Sequence, residues 1–568
     1  MKRPPSTPVF YCAFSLALLV TLPATGNKLP VVGATKQGIL HVTTQLVQVN
    51  VIVENKRGQP ISGLNRDDFK IFDDGEPQKI SVFTVEQINP KGVSVHLPQD
   101  IFSNSIERQT GDSPVVTVIL LDGLNTSWAN QANARRGVIR FLQQIQPSDR
   151  VALYALGTQL RVLHDFTSDS STLVQVLARY RGRLGDELSS SLADDADNPP
   201  QWSQDVSQSM GENAAGVANS LQDWLNDTNS IVAEYYMNQR AEMTMDALSD
   251  IAQHLQGVPG RKNLVWVSGG FPLLQGLDQM MRNGDFSNGS TYAEEISRAA
   301  QALNDVNLAI YPVDARGLMA DPSFDVRQKS IPNHLPVHLD DNFTTMDQFA
   351  RRTGGRAFYN TNDIQGALRT VIEDSRLTYL LGYYPTHGNW TGEYRKIKVA
   401  VDRPALRLQY RDGYDAVPEV PAAPPVAQQA LDAAVLSPLD ATAVDCVVKP
   451  VALKTPPRQP RRVEMQYWID PANITLAPDG DKWQVRITMA VEEVGPKGEN
   501  LKGVSHQFNF HLNSVTRKNF LASGLRFNEP LDIVPRAERI RVVVRDDPSG
   551  ELGSLSVPLN RVLPVMDK

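Results

Sequence analysis

The period of apolar and polar positions changes along this chain, and the changes mark its organisation. Leu46 to Val53 alternates and is rich in Val, the pattern of a half-buried strand. Lys56-Arg57-Gly58-Gln59-Pro60 interrupts it as a turn, and Phe69-Lys70-Ile71-Phe72 predicts a second strand. Asp74-Gly75 follows as a hairpin turn, because both residues tolerate positive φ, and Lys79 to Phe83 is the returning strand. Together these predict a small all-β module over residues 38–90, followed by a polar stretch from Asn89 to Ser113.

The middle of the chain reads differently. Val115 to Leu121 is a nearly continuous apolar run, as expected of a strand covered on both faces. Ala134 to Ile145 has helical spacing, Val151 to Leu156 is another buried-type strand, and Gln159 to His164 suits an edge strand beside it. Helices over Ser171 to Tyr180, Met243 to Leu255, Ala293 to Leu303, Met346 to Arg352 and Ile364 to Asp374 alternate with further strands. Those strands are Asn263 to Val267, Asn307 to Val313 and Ala357 to Tyr359, and Tyr379 to Tyr384 closes the series. Strands alternating with helices predict an α/β class, a doubly wound and mostly parallel sheet over residues 114–385. A stretch dense in Ser, Asp, Asn and Gln at residues 185–230 reads as an inserted surface excursion.

Past Tyr384 the helical period ends. A β extension spans residues 386–415, a Pro/Ala-rich linker with irregular chain spans 416–462, and strand-like runs return over 463–568. These runs are Val485 to Val491, Phe508 to Leu512, Ile540 to Val544 and Leu555 to Leu559, with Asp479-Gly480 as a hairpin turn. They predict a C-terminal β-sandwich, and Pro558 makes the last run an edge strand.

Composition narrows the function classes. The 568 residues exceed the roughly 100–200 of one domain. With 41% hydrophobic and 21% charged residues the chain can bury cores. A net charge of −7, with no long basic block, excludes nucleic acid as the main partner. Two cysteines build neither a disulfide framework nor a thiolate zinc site.

The N-terminus supplies the compartment. Lys2 and Arg3, the apolar run Val9 to Leu22 and the small residues of Pro23-Ala24-Thr25-Gly26 read as a cleaved secretory signal over residues 1–26. Cleavage would remove Cys12 and leave Cys446 alone. No later apolar run reaches the ~20 residues of a membrane span, so no transmembrane anchor is expected in the mature chain. The destination is then secreted, periplasmic or cell-envelope.

Ligands of a doubly wound sheet bind where strands exit toward helices. The first exit here is Leu121-Asp122-Gly123-Leu124-Asn125-Thr126-Ser127. A carboxylate and hydroxyls after an apolar strand suggest a hard-cation site, with Asp122, Thr126 and Ser127 as candidate Mg²⁺ ligands. The competing reading makes Asp122 and Asn125 braces of the loop or caps of the next helix. Ser268, in Val267-Ser268-Gly269-Gly270, sits on another exit, but Trp266 stands where a nucleophile elbow needs glycine. His334 and His338 have the i, i+4 spacing of a zinc pair, which Pro336 between them disfavours. No Gly-x-x-x-x-Gly-Lys loop is present.

At these residues the chain resembles a von Willebrand factor type A domain, and within that family its acidobacterial-type subgroup. The resemblance is carried by Leu46 to Phe83, the exit Leu121 to Ser127, Pro259-Gly260-Arg261-Lys262-Asn263 and Thr353-Gly354-Gly355-Arg356-Ala357-Phe358. Leu381-Gly382-Tyr383-Tyr384-Pro385 and Arg411-Asp412-Gly413-Tyr414 complete it, covering Leu46 to Tyr414. The resemblance implies a divalent cation held by an Asp-x-Ser-x-Ser loop, a distant Thr and a Thr-Asp-Gly turn, and bound in turn by an acidic side chain of a protein partner. Asp122 matches the first Asp and Thr126 can replace the second Ser. Leu124, however, stands in place of the first Ser, and Ser268-Gly269-Gly270 in place of Thr-Asp-Gly. A degenerate, weakly Mg²⁺-binding site follows.

The expected function is therefore an exported protein-interaction or adhesion-type binder with no enzymatic activity. Two alternatives stand beside it: a secreted hydrolase using Ser268 or the His334/His338 region, and a metal-free structural scaffold of the cell envelope. An enzyme should show an acid, a base and a nucleophile converging on one pocket, and no such triad appears at recognisable spacing.

Overall fold

The computed structural model describes residues 46–87, 98, 100–106, 108, 115–180, 239–270, 299–318, 338–386, 390–417, 424–456 and 459–563. The signal segment, the insertion at 185–230 and His334 fall outside them.

The chain opens with β1 (Val47–Glu54), β2 (Phe69–Asp73), β3 (Glu76–Gln78) and β4 (Ile80–Gln87), then a short β5 (Phe102–Ser103). Asp74 and Gly75 turn the β2–β3 hairpin at φ 47° and 88°, the conformation their small or polar side chains allow. The α/β part follows. It contains β6 (Val116–Asp122), α1 (Trp128–Leu142), β7 (Val151–Leu156), β8 (Leu160–Thr167) and α2 (Ser170–Arg179). After these come α3 (residues 239–255), β9 (Lys262–Ser268), α4 (residues 299–305), β10 (Leu308–Asp314), α5 (His338–Thr353) and α6 (Ile364–Asp374).

Its sheet runs β10-β9-β6-β7-β8, parallel except for the antiparallel edge strand β8. Every residue of β6, β7, β9 and β10 is buried, which is why they read as continuous apolar runs. Successive side chains face opposite ways. Val118 and Leu120 meet Leu248, Leu255 and Met346 on one face, while Ile119 and Leu121 meet Val138, Phe141 and Leu368 on the other. Helices therefore cover both sides, and each fully buried Leu, Ile or Val is worth ~1.5–3 kcal/mol over exposure. The expected mostly parallel sheet is present.

One strand departs from the pattern. The apolar run at Tyr379–Tyr384 implied a strand of this sheet, but β11 (Leu377–Tyr383) pairs antiparallel with β1 and β4 instead. A strand buried on both faces looks the same whichever sheet it joins. The chain continues through β12 (Glu393–Val401), β13 (Arg407–Gln409) and β14 (Gly413–Ala416), which pair with β2, β1 and β12. The N-terminal strands and residues 377–416 thus share two four-stranded sheets and one core, in which Val49, Val51 and Phe69 pack with Tyr379, Leu381 and Tyr414.

The Pro/Ala-rich stretch holds more order than a linker. Residues Pro424–Leu436 form α7, because Ala, Gln and Leu propagate a helix once the prolines lie at its start. Leu431, Ala434 and Val435 pack on Val543 and Leu552. Cys446–Leu453 is then a strand, β15, rather than irregular chain. The remaining elements are β16 (Arg461–Ile469), β17 (Ala477–Asp479), β18 (Lys482–Val494), β19 (Asn500–Leu512), α8 (Ser514–Ser523), β20 (Leu525–Ile533), β21 (Arg539–Asp546) and β22 (Leu552–Pro558).

Gly480, at φ 60°, turns the β17–β18 hairpin, and Pro558 ends the edge strand β22. One sheet runs β20-β16-β15-β5. The other runs β17-β18-β21-β22 with β19 beside β18. Both contribute to one apolar cluster that includes Val448, Met465, Leu531, Ile487, Val542 and Val557.

Candidate functional site

Asp122 is the last residue of β6, and the candidate ligands lie in the loop that carries the chain from it into α1. The carboxylate is 2% exposed and surrounded by donors. Oδ1 accepts from the Asn125 amide N–H at 2.9 Å. Oδ2 accepts from Asn125 Nδ2 at 2.9 Å, Trp266 Nε1 at 3.0 Å and Ser268 Oγ at 2.8 Å. Burial raises the Asp122 pKa, against the pull of the hydrogen bonds from Asn125, Ser268 and Trp266. One side chain thus ties its own loop to the end of the neighbouring strand β9.

Most other polar atoms of the loop are engaged as well, although Asn125 Oδ1 is buried without a hydrogen-bond partner. Asn125 Nδ2 also reaches Thr244 Oγ1 of α3 at 3.1 Å, and Thr244 in turn donates to the Arg240 carbonyl at 2.7 Å. Thr126 Oγ1 accepts from the Gly269 N–H at 2.8 Å. Gln131 Nε2 donates to the Gly123 and Thr126 carbonyls. Ser127 is the N-cap of α1 without a side-chain cap bond. Leu124 is fully buried in the apolar cluster beneath the sheet.

This donor set does not fit Mg²⁺. An octahedral cation needs carboxylate oxygen with free lone pairs, and Asp122 has spent about four acceptor sites on protein donors. Leu124 and Gly269 add no side-chain oxygen. The next exit is closed too, since Asp314, 1% exposed and ending β10, is held by Arg316 through Nη2 at 2.8 Å and Nε at 3.0 and 3.2 Å. Among the described residues, no group of three or more His, Cys, Asp and Glu side chains is arranged to hold a metal ion.

The structure brings Asp122, Thr126 and Ser127 to one strand exit, as the sequence implied. It joins to them Asn125, Trp266, Ser268 and Thr244. Trp266 carried a legible signal, because an indole in a fully buried strand needs an acceptor for its N–H. Thr244 carried none, lying far along the chain within an ordinary amphipathic helix. Ser268 is fully buried, its hydroxyl set between the Asp122 carboxylate and the Gly270 carbonyl at 2.6 Å. His338 opens α5, and its pairing with His334 lies outside the described residues.

Beside the loop is a cavity of about 390 Å³ lined by Leu121, Asp122, Thr126, Trp128, Arg135 and Tyr180, among others. Arg135 Nη1 donates to the Tyr180 carbonyl at 2.9 Å, and the Trp128 ring stands 63% exposed at the rim.

No family model and no curated protein matches this sequence. Solved structures do align with it. A von Willebrand factor type A protein from Catenulispora acidiphila is 9% identical, over 63% of this chain and 81% of its own, with a TM-score of 0.24. An aerotolerance-related membrane protein from Bacteroides fragilis is 13% identical over 46% and 98%, with a TM-score of 0.24. The N-terminal domains of the type V pili tip protein Mfa5 from Porphyromonas gingivalis are 9% identical over 85% and 97%, with a TM-score of 0.26. Similarity at this level carries no function across. Among the described residues, no helix is long and apolar enough to cross a membrane.

Proposed function

We propose that this chain is an exported, non-enzymatic binding protein of the von Willebrand factor type A kind, carrying a C-terminal β-sandwich, and that it takes a protein partner at the exits of its parallel sheet without a bridging cation. The observation that carries the reading is the fully engaged Asp122 carboxylate, which fixes the β6–α1 loop as a rigid platform. The exposed Trp128 ring and the adjacent cavity give that platform an apolar anchor point. Export rests on the signal-like N-terminus. A nucleophilic role for Ser268 gains no support, because its Oγ is buried and directed at a carboxylate rather than at an imidazole.

The test is a peptide library displayed against the full chain, with enriched peptides titrated by calorimetry in chelator and in 5 mM Mg²⁺ as two arms of roughly equal expected affinity. Trp128→Ala should weaken the same peptides about tenfold or more, within the range of an aromatic anchor. Peptides that bind only with Mg²⁺, or that ignore Trp128→Ala, would overturn the reading.

A further inference from the structure

A buried charged row joins the α/β layer to the C-terminal sheets. At its centre is His254, near the end of α3 and 2% exposed. Its Nδ1 lies 2.5 Å from the Asp440 carbonyl, and its Nε2 lies 3.6 Å from Asp165 Oδ1 on β8. Tyr154 of β7 donates its hydroxyl to the same Asp165 oxygen at 3.3 Å and sets its ring edge-on to the imidazole. Phe166 stacks flat against the imidazole at 6.0 Å and 3°. The Asp440 carboxylate meets the buried Arg541 guanidinium of β21, which also donates to the Ala434 and Leu439 carbonyls and to Ser554. Two more ionisable groups lie close by: His164, whose Nδ1 is 2.6 Å from the Asp165 carbonyl, and, one turn back on α3, Asp250, beside Ser437 and Asp246.

The segment between Leu439 and Val444 is stitched on both sides of this row. Toward α3, Thr442 Oγ1 donates to the His254 carbonyl at 2.7 Å and accepts from the Gly257 N–H at 2.8 Å. Toward β22, Ala441 N donates to Ser554 Oγ and Ser554 N to the Ala441 carbonyl, both at 2.8 Å, while Val444 N reaches the Leu552 carbonyl at 3.1 Å. Leu439 belongs to the apolar cluster of the α/β layer and Ala441 to that of α7 and β21.

Both imidazole nitrogens of His254 face oxygen. A neutral ring has one N–H, so with Nδ1–H given to Asp440 the bare Nε2 points its lone pair at a carboxylate. Among the buried polar atoms Nε2 has no hydrogen-bond partner within ordinary reach. Only the imidazolium satisfies both sides.

We propose that His254 is a proton-operated latch: protonated, it holds the 439–444 segment and the C-terminal sheets against β8, and on losing its proton it loosens them. Burial opposes the charge on His254, yet the attraction of the nearby Asp165 carboxylate, with Asp440, raises its pKa above 6.5. Asp165 moves the other way: burial works against its ionisation, but His254, the Phe166 N–H and Tyr154 together lower its pKa. A raised histidine pKa stabilises docking fully below about pH 6.5 and loses that contribution as pH rises through the folded value. Asp165 is 43% exposed on its side chain, so the pair can exchange protons with solvent although the ring is enclosed.

The test is amide hydrogen exchange of the full chain between pH 5.5 and 9, corrected for intrinsic exchange, read on peptides spanning 251–258 and 438–445. Protection there should fall about tenfold as the pH rises above 6.5 in wild type. It should be flat with pH in His254→Gln and in the milder Asp165→Asn. Asp250→Asn should keep the slope above pH 7, because that carboxyl titrates at about 6. A flat wild-type profile, a wild-type slope in both His254→Gln and Asp165→Asn, or a slope abolished only by Asp250→Asn would overturn the latch.

Discussion

Trp266 donates its indole N–H to the Asp122 carboxylate across 3.0 Å, linking the middle of β9 to the end of β6 beneath the loop that the sequence marked as a metal site. The bond gives Asp122 a structural task. Removing the carboxylate would break the buried hydrogen bonds it accepts from Trp266 Nε1, Ser268 Oγ and the Asn125 N–H, each loss costing ~1–3 kcal/mol. Asp122→Ala should therefore lower stability by about 2–4 kcal/mol in urea denaturation, with no dependence on Mg²⁺ in either protein. A cost below about 0.5 kcal/mol would show that the carboxylate braces nothing.

Leu124 provides the converse experiment. Leu124→Ser introduces a hydroxyl at the first Ser position of an Asp-x-Ser-x-Ser pattern, but it removes a fully buried side chain from the α/β core. The cavity and the buried hydroxyl together should cost about 2–4 kcal/mol. Calorimetric titration with Mn²⁺ should show no new binding, because the Asp122 oxygens stay occupied by Asn125, Trp266 and Ser268. Micromolar binding in the variant would mean that those donors yield to a cation.

The parallel sheet was legible because its strands are buried on both faces, and the helix at Ile364–Asp374 was found residue for residue from its spacing. The role of β11 was not legible. Its run is as apolar as β6, and only the tertiary pairing with Val47 to Val51 decides which sheet it joins. The strand exit was found from Asp122 and its neighbours, yet the state of the carboxylate depended on Trp266, Ser268 and Thr244. Those residues are brought near by the crossovers of the sheet and lie more than a hundred positions away. The order between Pro418 and Arg462 was hidden by composition, since a Pro/Ala-rich stretch reads as linker until a surface such as Val543 and Leu552 exists to pack on.

Asp374, at the end of α6, carries a second pH dependence. It lies 3.6 Å from Arg356 Nη2, which also binds Glu54 at 3.0 Å. Burial first, and the neighbouring Glu54 next, outweigh Arg356 and push its pKa up to about 7. A carboxyl with a raised folded pKa binds its proton more tightly when folded, so its contribution to stability is present below about pH 3.8 and is lost as pH rises through about 7. Asp374→Asn should remove that loss and flatten the stability profile between pH 5 and 8, measured by denaturant midpoints. An unchanged slope would assign the titration elsewhere.

Gly257 shows how closely the two halves meet. A Cβ at this position would lie 1.8 Å from the Thr442 carbonyl oxygen, and that backbone is pinned on its far side by β22. No rotamer change can relieve a clash with main chain, so Gly257→Ala must push the 439–444 segment away from α3. The bonds from Thr442 to His254 and from Gly257 to Thr442 would break together. The α/β core and the C-terminal core are separate apolar clusters, so each should survive the change. Calorimetry should then show one cooperative transition in wild type and two in Gly257→Ala, the hallmark of domains that no longer unfold as a unit. A single transition merely shifted downward would mean that the cores are coupled by more than this joint.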